Sequence, residues 1–147
     1  MEQPQIRFQA NRDMDEKEGK TFLPMVKSVL VNIAGNNTDQ VILPVEAGTY
    51  VRAVAKVKTV VDGTTPTVDI GTASDADGLI ANANFDCTTL NTVAESSGGI
   101  FFAAAGAVTM DVGGSGTAAG AIEVVFELYN MTQLLLNPHQ TIAIAGA

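Results

Sequence analysis

The chain has 147 residues, enough for one compact domain with a real core, and a formal net charge of −8 from 8 Lys/Arg against 16 Asp/Glu. All the basic residues lie in the first 58 positions and only acids follow, so the clustered cations that neutralise phosphates in a nucleic-acid binder are missing. The lone cysteine, Cys87, excludes an intramolecular disulfide. No apolar run reaches the ~20 residues of a membrane span, and the polar start from Met1 to Lys20 has no signal-peptide core, so a soluble intracellular product is expected.

Residues 1–22 read as a polar N-terminal arm, with a charge run from Asp13 to Lys20 and two isolated apolar side chains, Ile6 and Phe8. The arm is either a disordered terminus or a segment that orders on a partner. Residues 23–147 read as the folded domain. From Val26 the apolar pattern has period two: Val29, Val31 and Ile33 share a face, Gly35 to Asp39 supplies turn chemistry, and Gln40 to Val45 is extended again. The clearest strand is Tyr50 to Val61, with Val51, Ala53, Ala55, Val57 and Val61 on one side and Arg52, Lys56 and Lys58 on the other. Asp62-Gly63-Thr64-Thr65-Pro66 then predicts a hairpin loop returning through Thr67 to Gly71.

Thr72 to Gly78 is expected to be a loop, and Leu79 to Phe85 either a helical turn or a short irregular strand. Short strands follow at Ile100 to Ala103 and Ala107 to Val112. Gly113 to Gly120 predicts a flexible loop with too few side chains to pack. Ala121 to Tyr129 is a second clear strand, with Ile122, Val124, Phe126 and Leu128 inward and Glu123 and Glu127 outward. The tail carries Leu134-Leu135-Leu136, then Ile142 and Ile144. Seven to nine short strands with frequent turns and no amphipathic helix predict an all-β domain, an antiparallel β-sandwich or jelly roll.

The chemistry on offer is sparse. His139 is the only histidine and no nucleophile motif accompanies it; Cys87 beside Asp86 reads as a small buried residue rather than an activated thiol. Asp75-Ala76-Asp77-Gly78 resembles a fragment of a calcium loop, but Leu79 falls where an oxygen ligand belongs and Asp86 where a bidentate Glu belongs; a solvated turn is the plainer reading. One Cys and one His cannot close a zinc site, and Gly113 to Gly120 lacks the lysine and following helix of a phosphate loop. No enzyme activity, metal or cofactor is expected. The Arg52, Lys56 and Lys58 face either pairs with outward acids (Asp69, Asp111, Glu123, Glu127) or docks an acidic partner.

The run Val60-Val61-Asp62-Gly63-Thr64-Thr65-Pro66-Thr67-Val68-Asp69-Ile70-Gly71-Thr72-Ala73-Ser74-Asp75-Ala76-Asp77-Gly78-Leu79 resembles a stretch of small structural proteins of tailed bacteriophages. The stretch from Gly106 to Ala121 with the Ile122 to Tyr129 strand is similar to the same group. The resemblance spans about residues 50–129 and implies a capsid decoration (cement) protein. Such proteins commonly form homotrimers seated where capsomers meet, so the implied partner is the major capsid protein and the implied location the virion surface. Contacts between subunits would then fall to Ile6 and Phe8 of the arm and to Leu134, Leu135 and Leu136. Basic residues would lie toward the shell and the acidic remainder toward solvent. A host-recognition or adaptor module of a tail fibre or baseplate is the alternative; the absence of Trp counts against a glycan site.

Overall fold

The structure, a computed structural model, describes residues 24–131. The arm, His139 and the Leu134 to Leu136 segment lie outside the described residues. Nine strands follow in order: β1 Met25–Ile33, β2 Asn37–Val45, β3 Thr49–Thr59, β4 Thr64–Thr72, β5 Asp75–Ile80, β6 Val93–Glu95, β7 Ile100–Phe102, β8 Gly106–Ser115 and β9 Gly120–Asn130. A 3-10 turn, Asn82–Asn84, follows β5, so the Leu79 to Phe85 stretch is part strand and part helical turn.

All pairings are antiparallel and form two sheets. Sheet I has the order β1-β9-β3-β6, with β7 also paired to β3; sheet II has the order β2-β8-β4-β5. With β6 and β7 sharing one position, each sheet is four strands wide and the chain crosses repeatedly between them. This is the jelly-roll form of the β-sandwich. The chain enters β1 and leaves β9 at the same end, where Met25 lies opposite Leu128.

The period-two residues meet between the sheets. Val51, Val57, Ile122, Val124 and Phe126 from sheet I face Val68, Ile70, Val108 and Met110 from sheet II, and all nine are fully buried. Each such side chain contributes about 1.5–3 kcal/mol relative to exposure. The core accounts for the strand pattern.

Three local expectations are corrected. Asp62-Gly63 does not close a hairpin: β3 lies in sheet I and β4 in sheet II, so the turn carries the chain across the sandwich. Turn chemistry encodes a reversal, not the sheet that the next strand joins, and β4 finds its partner in β8 with Val68 opposite Val112. Second, Asp75 to Gly78 is no free loop. It begins β5, where Gly71 alone on β4 faces residues 76–79 between the pairs Thr72–Asp75 and Ile70–Ile80. This bulge folds so closely over β4 that a Cβ on Gly71 would collide with the carbonyl oxygen of Asp75.

Third, the Gly113 to Gly120 stretch is packed and tied. β8 continues to Ser115, and Thr117 is buried. The Asp62 carboxylate accepts hydrogen bonds from the backbone N–H groups of Ala118 (2.7 Å) and Ala119 (2.9 Å), and Asn36 Nδ2 donates to the Gly114 carbonyl (2.7 Å). Gly63 sits beneath this tie with φ +103°, where an added Cβ would lie 2.8 Å from the Ser115 carbonyl oxygen and from Thr117 Oγ1.

Candidate functional site

Charge divides by sheet. The strands of sheet II carry Asp39, Asp69, Asp75, Asp77 and Asp111 and no Lys or Arg. The four cations of the described residues, Lys27, Arg52, Lys56 and Lys58, all lie on sheet I with Glu95, Glu123 and Glu127. The outer face of sheet II is therefore purely acidic and that of sheet I is mixed. Of the two readings of the Arg52, Lys56 and Lys58 face, register favours the one in which outward acids lie beside it, with Arg52 directly opposite Glu127 and Lys56 directly opposite Glu123. Asp69 and Asp111, also expected as partners, belong to the other sheet and oppose each other. Lys58 stands apart, exposed at the register shift between Val57 and Thr59.

The outer face of sheet I also gathers apolar and aromatic side chains, some half-buried and some exposed. Tyr129 on β9 lies opposite Tyr50 on β3, which lies opposite Phe101 on β7. The two tyrosine rings are 6.1 Å apart at 54°, within the tilted geometry that aromatic pairs favour. Tyr129 donates its O–H to Glu127 at 2.9 Å, and that bond to a carboxylate, with some desolvation, raises its phenol above the ordinary tyrosine range. Phe101 is 54% exposed, and Val26, Leu30 and Val93 on the same sheet are similarly open. Aromatic residues and arginine bordered by apolar surface are the composition of a protein-binding face. Composition counts on the whole chain hid this row, because its three aromatics come from strands distant in sequence.

The groups considered for chemistry are placed otherwise. Cys87 is buried, its thiol donates to the Pro66 carbonyl at 3.5 Å, and desolvation pushes its pKa up. The neighbouring Asp86 accepts from Thr88 N (2.9 Å), Thr88 Oγ1 (2.6 Å) and Thr89 Oγ1 (2.7 Å), bonds that lower its pKa and fix the turn. Among the described residues no three His, Cys, Asp or Glu side chains converge as a metal site, and no helix is long and apolar enough to cross a membrane.

The described residues thus form a small jelly roll with an apolar core and two chemically distinct outer faces. No protein-family model and no curated protein sequence matches the chain. Solved structures do. A chain in the capsid asymmetric unit of cyanophage Pam1 superposes with a TM-score of 0.56 at 20% identity, covering 74% of this chain and 86% of that one. A chain in the acid-stable capsid of Helicobacter pylori bacteriophage KHP30 gives 0.53 at 14% identity, covering 73% and 88%. The shared property is the fold.

Proposed function

We propose that the protein is a non-enzymatic structural component of a bacteriophage virion: a decoration protein that binds the outside of the assembled capsid, as a homotrimer, and stabilises it. The observation that carries this reading is the likeness to chains of two phage capsids over 86% and 88% of those chains. Those chains are themselves little more than one small sandwich, which suits an accessory part of a shell better than its main wall. The division of charge supports the same reading, with the mixed, aromatic face of sheet I toward neighbouring subunits and the acidic face of sheet II toward water. Binding only the assembled shell stabilises it by mass action.

The test is co-sedimentation of the purified protein with empty expanded and unexpanded shells built from the major capsid protein of the same phage. Binding to expanded shells, with a raised shell-disruption temperature, is expected; no binding to either form would overturn the reading. The row Tyr129–Tyr50–Phe101 favours one competing reading, a host-recognition module whose aromatic faces stack on cell-surface sugars. Glycan-array binding lost in Tyr50→Ala, with no shell binding, would select it.

A further inference from the structure

The two lateral sides of the sandwich are finished differently. On the β5–β6 side the connecting segment closes the core with Phe85 and Cys87 buried, and Ser96, just after β6, is buried as well. On the opposite side β1 and β2 are both edge strands. A cleft of about 620 Å³ opens between them, lined by Val29, Val31, Ile33, Ile42, Met110 and Val112 among others. Val29, Val31 and Ile42 remain only half-buried there.

The two edges also differ from each other. β2 is blunted by register shifts at Asn37/Gln40 and Val41/Leu43, by Asp39 at φ +54° and by Pro44, which has no N–H to donate. β1 keeps an unbroken register with β9 from Met25 to Ile33, contains no Gly or Pro, and carries one charge, Lys27. A regular nine-residue edge that no described residue covers, beside an apolar cleft, is a template for a further strand.

We propose that the free edge of β1 receives the segment Gln5–Ala10 of a second copy of this chain, as an added strand that places Ile6 and Phe8 over the cleft. In Gln5-Ile6-Arg7-Phe8-Gln9-Ala10 the apolar residues alternate with polar ones, the pattern of a strand with one buried face. Arg7 then lies on the outer side with Ser28, Leu30 and Asn32, and gives the new edge a charge that discourages further addition. The alternating stretch Thr141 to Ala145 carries no such charge.

Length selects the neighbour's edge over the chain's own. Residues 11–24 separate this segment from β1. That is far beyond the 2–5 residues of a hairpin return, yet when extended it spans up to about 45–50 Å, more than twice the ~20 Å width of a four-stranded sheet. Arm-to-edge contacts are heterologous and close into a ring when the rotation permits, which agrees with a trimer. The inference deepens the oligomer part of the proposed function and does not depend on shell binding.

Two measurements on the full-length protein test it. Native mass spectrometry compares the wild type with Ile6→Asp/Phe8→Asp, whose core is untouched and whose circular dichroism should match. The wild type is expected to be oligomeric, and the variant to assemble about tenfold more weakly or worse. Arg7→Cys is then combined in turn with Ser28→Cys, Leu30→Cys and Asn32→Cys. At least one pair should form a disulfide between chains, while Arg7→Cys with Val41→Cys, on β2, should not; Cys87 is 2% exposed and does not compete. A monomeric wild type, an oligomer indifferent to the Ile6/Phe8 change, or disulfides only within chains would each overturn the inference. A wild-type oligomer that passes both tests but binds no shell upholds it and removes the capsid reading instead.

Discussion

Asp69 on β4 lies directly opposite Asp111 on β8, so two carboxylates share one cross-strand position on the outer face of sheet II. Each is held by neutral donors. Asp69 accepts from the backbone N–H of Asn82 (2.7 Å) and from its side-chain amide (2.9 and 3.0 Å), and Asp111 accepts from the backbone N–H of Asp39 (2.7 Å). Like charges directly opposite one another destabilise a sheet. Two carboxylates at one cross-strand position make this a strongly hydrated part of the face.

Asp111→Asn keeps an acceptor for the Asp39 N–H and removes the repulsion. It is expected to stabilise the fold by about 0.2–1 kcal/mol at neutral pH, with the gain shrinking as salt is added. Urea midpoints of the two proteins at low and high ionic strength measure this. A loss of stability at low salt would show that the charged acceptor's bond to the Asp39 N–H outweighs the repulsion.

The Asp62 tie between the β3–β4 crossing and the β8–β9 turn sets a pH dependence. The N–H groups of Ala118 and then Ala119 hold its carboxyl below the ordinary aspartate range. With the folded pKa lowered, the unfolded chain binds the proton first. The contribution is therefore complete above the unfolded pKa and is lost as pH falls through the folded one. Asp62→Ala should lower the unfolding midpoint at pH 7, and the gap from wild type should close in the acid range below about pH 4. A gap independent of pH would place the effect elsewhere.

Ser96 completes the edge of β3 where β6 ends. Its backbone N–H donates to the Ala53 carbonyl (2.8 Å), and its buried hydroxyl accepts from the Ala53 N–H (3.1 Å). Ser96→Ala strands that N–H away from water and should cost about 1–3 kcal/mol. Faster amide exchange at Ala53 is the local readout, and unchanged protection there would refute the assignment.

Thr109 gives the opposite sign. It is 4% exposed, and its Oγ1 has no hydrogen-bond partner. Thr109→Val has nearly the same shape and removes a buried polar atom that gains nothing, so it should stabilise by about 1 kcal/mol. A fall in melting temperature would reveal a partner for the hydroxyl.

What could be read from the sequence was set by the range of the interaction. The alternation of Val51, Ala53, Ala55 and Val57 shows which side of β3 is buried, because burial acts on each strand residue by residue. The all-β sandwich follows from many such stretches. The Asp62-Gly63 turn misled because its chemistry is local, whereas the choice of sheet for β4 depends on β8, some forty residues later. β6 escaped notice because three residues, Val93 to Glu95, have too little periodicity to register and it exists by pairing with β3, whereas β7 was legible as the short apolar run at Ile100 to Ala103. The same limit hid the face of sheet I. Arg52 and Lys56 were visible as a stripe, but their places opposite Glu127 and Glu123 required knowing that β9 lies beside β3.

The meeting of Met25 with Leu128 on adjacent strands has a practical consequence. Cargo fused ahead of β1 or behind β9 would emerge from one pole of the molecule, leaving the opposite pole, with its tied turns, bare. The same adjacency lets a short peptide join the two strands and the chain be reopened at the 116–119 turn. Such a rewired molecule would preserve every strand pairing while exporting its ends from the far pole, turning one scaffold into a display platform with a choice of two directions.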